Sequence, residues 1–241
     1  MYKGKTTLAD AADSVNAAAT LSMQAYATIK TLNAFKVQYG QETPAFNYPL
    51  GISAFDAFLM KVSEITGKSI PEAVEWERGL AVDAATDAHQ YFHGRRFSLF
   101  GDPDLMIGLV GFLMEMGAEP VHIVSSNGTK KWAKAMEGLL AGSPHGSEAQ
   151  IHAGRDLWHM RSLLVTEPVD MLLGNSHGKY AARDAGIPHV RIGFPIVDRV
   201  NLHRYATIGY KGTINLITWI ANALIEEVDR RSDDAHFELL R

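Results

Sequence analysis

The sequence has no cysteine among its 241 residues. This absence excludes disulfide bonds, a cysteine nucleophile, thiolate zinc sites and an iron–sulfur cluster held in the usual way by cysteines of this chain. Apolar runs are also short, and none approaches the roughly 18 residues that a membrane-spanning helix needs. The first residues do not have the basic and apolar regions of a signal peptide. We therefore expect no membrane contact and a cytoplasmic location.

An excess of charge of one sign is lacking as well. The formal net charge is −4, with acidic and basic residues interspersed, which argues against a nucleic-acid partner. The most basic cluster, Lys130 and Lys131 with Lys134, is too short to change this expectation. What the sequence does have is 46% hydrophobic and 21% charged residues, a composition typical of a folded chain with a sizeable core.

From Phe97 onward, short β-rich runs alternate with longer helical patterns. Such alternation is typical of βαβ units that form a parallel sheet with helices on both faces. The predicted strands are Phe97–Phe100, Val121–Ser125, Gln150–His152, Val169–Leu173 and Val190–Ile192. The predicted helices are Asp104–Met116, Lys130–Leu140, Leu157–Leu164, Lys179–Ala185 and a last helix from about Thr213. Residues 95–241 are therefore predicted to form a C-terminal Rossmann-like α/β domain.

The first 94 residues show a different pattern. Helices are predicted at Thr6–Ser14, Tyr26–Tyr39, Phe55–Thr66 and Pro71–Phe92, with two short strands at Thr20–Met23 and Ala45–Pro49. Two strands are too few for a stable sheet of their own. We interpret residues 1–94 as the helical tail of an incomplete α/β middle domain whose beginning lies outside this sequence.

Two loops, Gly101–Asp104 and Gly174–Lys179, follow predicted strands at the edge of the sheet where α/β folds bind ligands. Neither contains the glycine-rich fingerprint of a dinucleotide site or of a phosphate loop, and Asp102 and Asp104 would repel a phosphate. We predict capping and turn roles for them, with Asp102 as N-cap and Pro103 at the first helical position. The sequence offers no catalytic constellation, because nucleophile-elbow and Ser-His-Asp patterns are missing.

The long helix predicted before the first strand of the sheet carries two pairs of candidate metal ligands, each four residues apart and so on one face. His89 and His93 have the spacing of zinc ligands, but Gln90 stands where zinc hydrolases have glutamate. We interpret this pair as surface or interface histidines. Asp83 and Asp87 repel each other by roughly 0.2–0.5 kcal/mol unless a hard cation lies between them. From the pattern alone, a solvated acidic face is the simpler interpretation, since two carboxylates fill only part of a coordination shell.

A set of stretches spread along the chain forms a more specific pattern than any single motif. The stretches are Phe58–Glu64 with Gly67 and Lys68, Glu77–Gly79, Phe100–Asp104, Asp156–His159 with Arg161–Leu163, Gly174–Ser176 with Gly178 and Lys179, Arg191–Pro195, Asp198 with Arg199, and Leu202–Arg204. Together they resemble the beta chains of the nitrogenase molybdenum-iron protein, in the nitrogenase component 1 family. The resemblance covers the whole sequence and implies the C-terminal half of such a chain, with Met1 an internal methionine.

The resemblance implies an oxidoreductase subunit that pairs with a nitrogenase alpha chain in an α2β2 complex. In this family, an eight-iron P-cluster at each α–β interface relays electrons from the ATP-dependent iron protein to the iron-molybdenum cofactor of the alpha chain, where dinitrogen is reduced to ammonia. The beta-chain cysteines that hold the cluster lie in the N-terminal half, so no cluster ligand is assigned to this chain. We expect this segment alone to bind no cluster and to be inactive.

The resemblance also assigns site residues. Asp83 and Asp87 match a pair that helps to hold a divalent cation between the two beta chains, with the remaining ligands supplied by the N-terminal half of the other beta chain. Lys130 matches a lysine at the surface where the iron protein docks, and Asn127, in the same stretch, is assigned to that surface.

The sequence departs from the family pattern at two places, which leaves the metal type open. The segment Ala181–Val190 is shorter than in many molybdenum-type chains, and Val200 and Asn201 replace a more usual histidine pair. Two other functions remain as alternatives: a cofactor-assembly scaffold paralogue of the same family, and a non-redox Rossmann-like binding module. Asp156–His159 and Leu202–Arg204 favour the structural subunit, and the incomplete first region argues against a free-standing module.

Overall fold

The computed structural model describes residues 7–232. This part of the chain contains five strands: β1 Arg96–Phe100, β2 Glu119–Ser125, β3 Gln150–Ala153, β4 Met171–Gly174 and β5 His189–Arg191. Its α-helices are α1 Leu8–Asp13, α2 Ala25–Tyr39, α3 Ile52–Thr66, α4 Glu72–Phe92, α5 Pro103–Glu115, α6 Lys130–Leu140, α7 Leu157–Thr166, α8 Lys179–Ala185 and α9 Gly209–Arg231. Within residues 7–232, no helix combines the length and the apolar character needed to cross a membrane.

The five strands form one parallel sheet in the order β3-β2-β1-β4-β5. Leu99 of β1 lies opposite Ile123 of β2 on one side and Leu173 of β4 on the other. The α/β class and the Rossmann-like parallel sheet predicted from the alternating pattern are therefore confirmed. The largest differences from the predicted bounds are in α9, which begins at Gly209 instead of Thr213, and in α3, which begins at Ile52 instead of Phe55. Within the sheet, β2 and β4 each begin two residues from the predicted start.

Helices cover both faces of the sheet. One face packs α5, α6 and α9 against Leu99, Ile123 and Leu173, and the other packs α7 and α8 against Phe100, Val124 and Leu172. The sequence of α5 is apolar nearly all round, and eleven of its thirteen residues are buried, as a helix without a polar face should be. Gly108 is required on this helix, because a Cβ there would lie 2.4 Å from the backbone oxygen of Tyr48.

Carboxylates at the two ends of α5 cap two helices of the first region. Asp104 accepts hydrogen bonds from the backbone N–H groups of Tyr26 and Ala27, at 2.9 and 3.1 Å, at the start of α2. Glu115 accepts from the N–H groups of Ile52 and Ser53, both at 2.9 Å, at the start of α3. Neither α2 nor α3 has a capping hydrogen bond from its own N-cap side chain. The two carboxylates of α5 thus link α2 and α3 of the first region to the sheet, and they satisfy N–H groups that would otherwise lack a partner at the helix starts.

Apolar contacts join the same parts. Leu50, Ala88 and Phe92 belong to the main core together with residues of β1, α5 and α9, and α4 packs along α9. The division into a middle-domain tail at 1–94 and a second domain at 95–241 stays a prediction.

The two short strands predicted at Thr20–Met23 and Ala45–Pro49 were wrong. The two segments pair only through isolated parallel bridges, Ala19 with Glu42 and Ser22 with Ala45. The backbone N–H of Thr20 donates to the carbonyl oxygen of Glu42, and the N–H of Ser22 donates to the carbonyl oxygen of Pro44. In a continuous ladder, the nitrogen of Pro44 would donate the hydrogen bond that lies between these two. Proline has no N–H to donate, so the ladder is interrupted there. The predicted helix Thr6–Ser14 is shorter, at Leu8–Asp13, and Thr6 lies outside the described residues.

Candidate functional site

The loops that follow the five strands meet at the carboxyl edge of the sheet. A cavity of about 380 Å³ opens between them, and its lining includes Asp102, Arg155, Asn175, His177 and Phe194. A second cavity of about 590 Å³ shares Asp102 and Phe194 with it and extends to residues near α2 and α9. The smaller cavity lies where the strand order reverses between β1 and β4, the usual ligand position in doubly wound sheets.

Asn127 links two of these loops. Its Nδ2 donates to Oδ1 of Asp102 at 3.1 Å, and its Oδ1 accepts from Oγ of Ser125 at 3.2 Å. Asp102 is the N-cap residue of α5 and Pro103 follows it, as predicted, but the side chain of Asp102 makes no capping hydrogen bond. The amide of Asn127 holds that carboxylate instead. The predicted capping by the side chain of Asp102 was therefore wrong, and the docking role of Asn127 stays a prediction.

Asp104 is the second acidic residue of this edge, and it is only 3% exposed. Burial raises the pKa of its carboxyl above the ordinary value, while the two backbone hydrogen bonds oppose that rise. The predicted capping role is confirmed, but Asp104 caps α2 and not α5, in whose first turn it lies. Both oxygens are engaged in this contact, so Asp104 holds the rim of the larger cavity in place.

The loop after β5 is held by an ion pair. Nη2 of Arg191 lies 2.8 Å from Oδ2 of Asp198, and Oγ of Ser176 donates to Oδ1 of Asp198 at 2.5 Å. The hydrogen bonds from Arg191 are the main cause that holds the pKa of Asp198 well below its usual range. Ser176 also accepts from the N–H of Val197 at 2.9 Å. These side chains belong to stretches that resemble the nitrogenase family, and here they position the loop that carries Phe194.

Three histidines of the sheet domain have a pKa lowered mainly by burial. For His122 and His152 the pKa lies below the ordinary value, and burial, with the positive charge of Arg191, lowers the pKa of His189 to about 4. His189 faces the carbonyl oxygen of Gly174 through Nε2 at 3.3 Å. All three are therefore neutral at neutral pH.

Lys130 is the first residue of α6 and is exposed. The helix start is fixed beneath it, because Thr129 accepts from the N–H of Trp132 at 3.2 Å and the buried indole of Trp132 donates to the oxygen of Pro103 at 3.0 Å. Within residues 7–232, the ammonium of Lys130 has no hydrogen bond or ion pair. The unpaired positive charge of Lys130 thus lies at a well-anchored helix start, directly after Thr129, which lines the larger cavity together with Asn127.

Asp83 and Asp87 lie elsewhere, on α4. Both are exposed, one helical turn apart, and neither lines either of the two cavities. Among residues 7–232, no group of three or more His, Cys, Asp or Glu side chains is arranged to hold a metal ion. The candidate site residues thus fall into two separate places, the sheet edge with Asn127 and Lys130, and the α4 surface with the two aspartates.

Sequence reasoning missed the caps at the ends of α5 and the Ser176–Asp198–Arg191 contact. The partners of the caps are 62 to 78 residues apart in the chain, and Ser176 is 22 residues from Asp198, so spacing gives no signal for these contacts. The one sequence signal for the caps is a carboxylate at each end of the otherwise apolar helix α5.

A doubly wound parallel sheet with cavities at its reversal point defines the class of Rossmann-like α/β domains. Comparison with known families then places the chain more closely. The model of "Nitrogenase component 1 type Oxidoreductase" matches residues 1–225, and the chain belongs to this family.

Relatives confirm the resemblance. The chain is 52% identical over 246 residues to the "Nitrogenase molybdenum-iron protein beta chain" of Nostoc sp. (strain PCC 7120 / SAG 25.82 / UTEX 2576), covering 100% of this chain and 48% of that protein. It is 45% identical to the chain of the same description from Azotobacter vinelandii, covering 96% and 46%. A solved chain described as "Nitrogenase Cp1 at pH 6.5" superposes with a TM-score of 0.94 at 34% identity, over 99% of this chain and 52% of the other. This chain thus spans about half the length of the relatives that it matches.

Proposed function

We propose that this chain is part of the beta subunit of nitrogenase component 1. In the complete complex, the subunit relays electrons from the ATP-dependent iron protein to the cofactor at which dinitrogen is reduced to ammonia. The observation that carries the proposal is the identity of 52% to a nitrogenase beta chain over the whole of this chain. The named relatives from several bacteria are beta chains, which favours the structural subunit over the scaffold paralogue.

The metal clusters of the complex do not fit the residues of this chain. Iron–sulfur clusters are held by cysteine thiolates, and the sequence contains none. We therefore assign the P-cluster and the iron-molybdenum cofactor to other parts of the complex, and we expect this chain alone to be inactive. Anaerobic reconstitution with iron and sulfide should leave the purified chain without cluster iron, and stoichiometric iron would contradict this.

The α4 surface is proposed as the contact with the second beta chain. Asp83 and Asp87 lie about 5–6 Å apart at their Cβ atoms, as residues one helical turn apart do. Exposed apolar residues continue the same stripe, since Trp76 is 70% exposed and Leu80 is 45% exposed. A divalent cation between subunits would relieve the repulsion of the two carboxylates, and the second chain would supply the remaining oxygen ligands.

The sheet edge is proposed as part of the docking surface for the iron protein. Lys130 presents a positive charge that no described residue neutralises, at a helix N-terminus where such a charge is unfavourable by a few tenths of a kcal/mol. An acidic group on the partner would offset this unfavourable interaction between the lysine and the helix dipole. A contact of this kind acts mainly on the association rate and weakens with salt.

Disruption of the coding gene tests the proposed function. Cells that carry the disruption should grow normally on ammonium and fail to grow with dinitrogen as the nitrogen source, and their acetylene reduction should be lost. The intact gene supplied in trans should restore both. Normal growth on dinitrogen in the disrupted strain, without another nitrogenase present, would overturn the proposal.

A further inference from the structure

Three histidines from two separate segments lie close to one another, and two of them lie beside Gly117. His89 and His93 stand at the C-terminal end of α4, with ring centroids 5.3 Å apart and nearly parallel planes. His145 belongs to the short 3-10 turn Pro144–Gly146 between α6 and β3, and its ring centroid lies 5.6 Å from that of His93. His89 and His93 are exposed and His145 is half-buried.

Their ring nitrogens are free to bind a ligand. In the part of the chain that the structure describes, the ring nitrogens of these histidines have no hydrogen bond or ion pair. This distinguishes them from His122, His152 and His189, each of which has a ring nitrogen facing a hydrogen-bond partner.

Gly117 leaves a space that two of these nitrogens border. A Cβ on this residue would lie 2.8 Å from Nδ1 of His93 and 3.1 Å from Nε2 of His89. Gly117 also has a φ of +74°, a conformation that side-chain-bearing residues rarely adopt. The glycine therefore lets two imidazole nitrogens from successive helical turns approach the same small volume.

We propose that His89, His93 and His145 form a binding site for a divalent transition-metal ion of the class that prefers imidazole, such as Zn²⁺, Ni²⁺ or Cu²⁺. Two histidines four residues apart on a helix can chelate one ion. The C-terminal end of α4 adds the negative end of a helix dipole, which attracts a cation. Water fills the remaining positions.

The third ligand is reached by rotation of a side chain. No three ligating side chains within residues 7–232 already surround one point, so the His145 ring must turn toward the chelating pair. A staggered rotamer change moves an imidazole by several ångströms at a cost far below that of a metal–nitrogen bond. The result is a site that forms on binding.

This site differs from the one proposed for Asp83 and Asp87. Carboxylate oxygens suit hard cations such as calcium, whereas imidazoles suit zinc, copper and nickel. Six residues separate each histidine from its aspartate counterpart, and at 3.6 residues per turn the two pairs point about 120° apart around α4. The inference is independent of the proposed function, because it needs only residues of this chain.

Titration calorimetry with Zn²⁺ and Ni²⁺ on the purified chain tests the proposal. We expect one ion per chain, because the three imidazoles supply a single set of ligands. His89→Gln and His93→Gln should each weaken the affinity at least tenfold. His145→Phe, which keeps the aromatic contact with His93, should weaken it about three- to tenfold.

His203→Gln, at an exposed histidine far along the chain, is the matched control and should leave the affinity unchanged. Circular dichroism without metal should show that all variants remain folded, and added metal should raise the melting temperature of the original chain but not of His93→Gln. The proposal is overturned if the helix variants bind as tightly as the control does. It is equally overturned if His145→Phe has no effect, since the site would then be a two-histidine surface chelate.

Discussion

The carboxylate caps at the two ends of α5 lead to a quantitative prediction about stability. Asp104→Asn keeps the size of the side chain but removes its charge. The amide oxygen can accept one backbone N–H of α2, whereas the new NH₂ group faces the other N–H and leaves it unpaired in a site where the native side chain is 3% exposed. The loss of one charge-assisted hydrogen bond at this buried carboxylate costs about 2 kcal/mol, which is roughly a 30-fold increase in the unfolding constant.

Glu115→Gln makes the same chemical change at the other end of α5. Glu115 is exposed, so water can replace the lost hydrogen bond, and we expect a cost of about 0.5–1 kcal/mol, at the low end for a helix cap. Asp102→Asn is the control, because its amide oxygen can still accept from Asn127 and surface changes usually stay within about 0.5 kcal/mol.

Urea unfolding at neutral pH, followed by circular dichroism and by tryptophan fluorescence, gives the three free energies of unfolding. The two probes must coincide for the values to be comparable. We expect the loss of stability to be largest for Asp104→Asn, smaller for Glu115→Gln and smallest for Asp102→Asn. A loss for Asp104→Asn no larger than that for Asp102→Asn would refute the proposed role of the Asp104 cap.

Three further predictions concern the proposed sites and the buried histidine. In the full-length assembled protein, Asp83→Asn with Asp87→Asn should lose the interface cation and weaken the tetramer, and unchanged metal content and native mass would contradict this. Lys130→Glu should raise the half-saturating concentration of iron protein at low salt and change the free energy of unfolding by less than about 0.5 kcal/mol. Lys131→Glu is the matched control. An unchanged half-saturating concentration for Lys130→Glu would mean that Lys130 is an ordinary surface lysine. His189 binds a proton below pH 6.5 in the unfolded chain but only near pH 4 in the folded chain. The free energy of unfolding therefore decreases, by up to about 3 kcal/mol, as the pH falls through this window. Unfolding free energies of His189→Gln should therefore fall less steeply between pH 6.5 and 4, and identical slopes would be inconsistent with a buried neutral His189.

The sheet and its helices could be predicted because each carries a local signal. Strands such as Phe97–Phe100 are short apolar runs bounded by glycine, and α6 begins where Thr129 caps it and runs as predicted. The false strands near Thr20 and Ala45 show where local signals fail. Their composition favoured extended backbone, but whether extended segments form a ladder depends on each N–H, and Pro44 lacks one.

The site could be predicted only in part. The loops at the carboxyl edge followed from the general rule for parallel sheets. The contacts of Ser176 with Asp198 and of Asp104 with α2 could not be predicted, because they join segments that only the fold brings together. The histidine group shows the same limit. The pair on α4 was visible from its spacing, whereas His145 and the space above Gly117 come from other elements.

The central claim is that the chain is part of a nitrogenase component 1 beta subunit, and anaerobic purification of its gene product tests it most directly. The product would be tagged at its own locus in cells grown on dinitrogen, and the recovered complex would be measured by native mass spectrometry and by iron and molybdenum analysis. We predict a heterotetramer with a nitrogenase alpha chain that contains both metals. Recovery of the tagged product as a metal-free species without an alpha chain, from cells that are fixing nitrogen, would contradict the account.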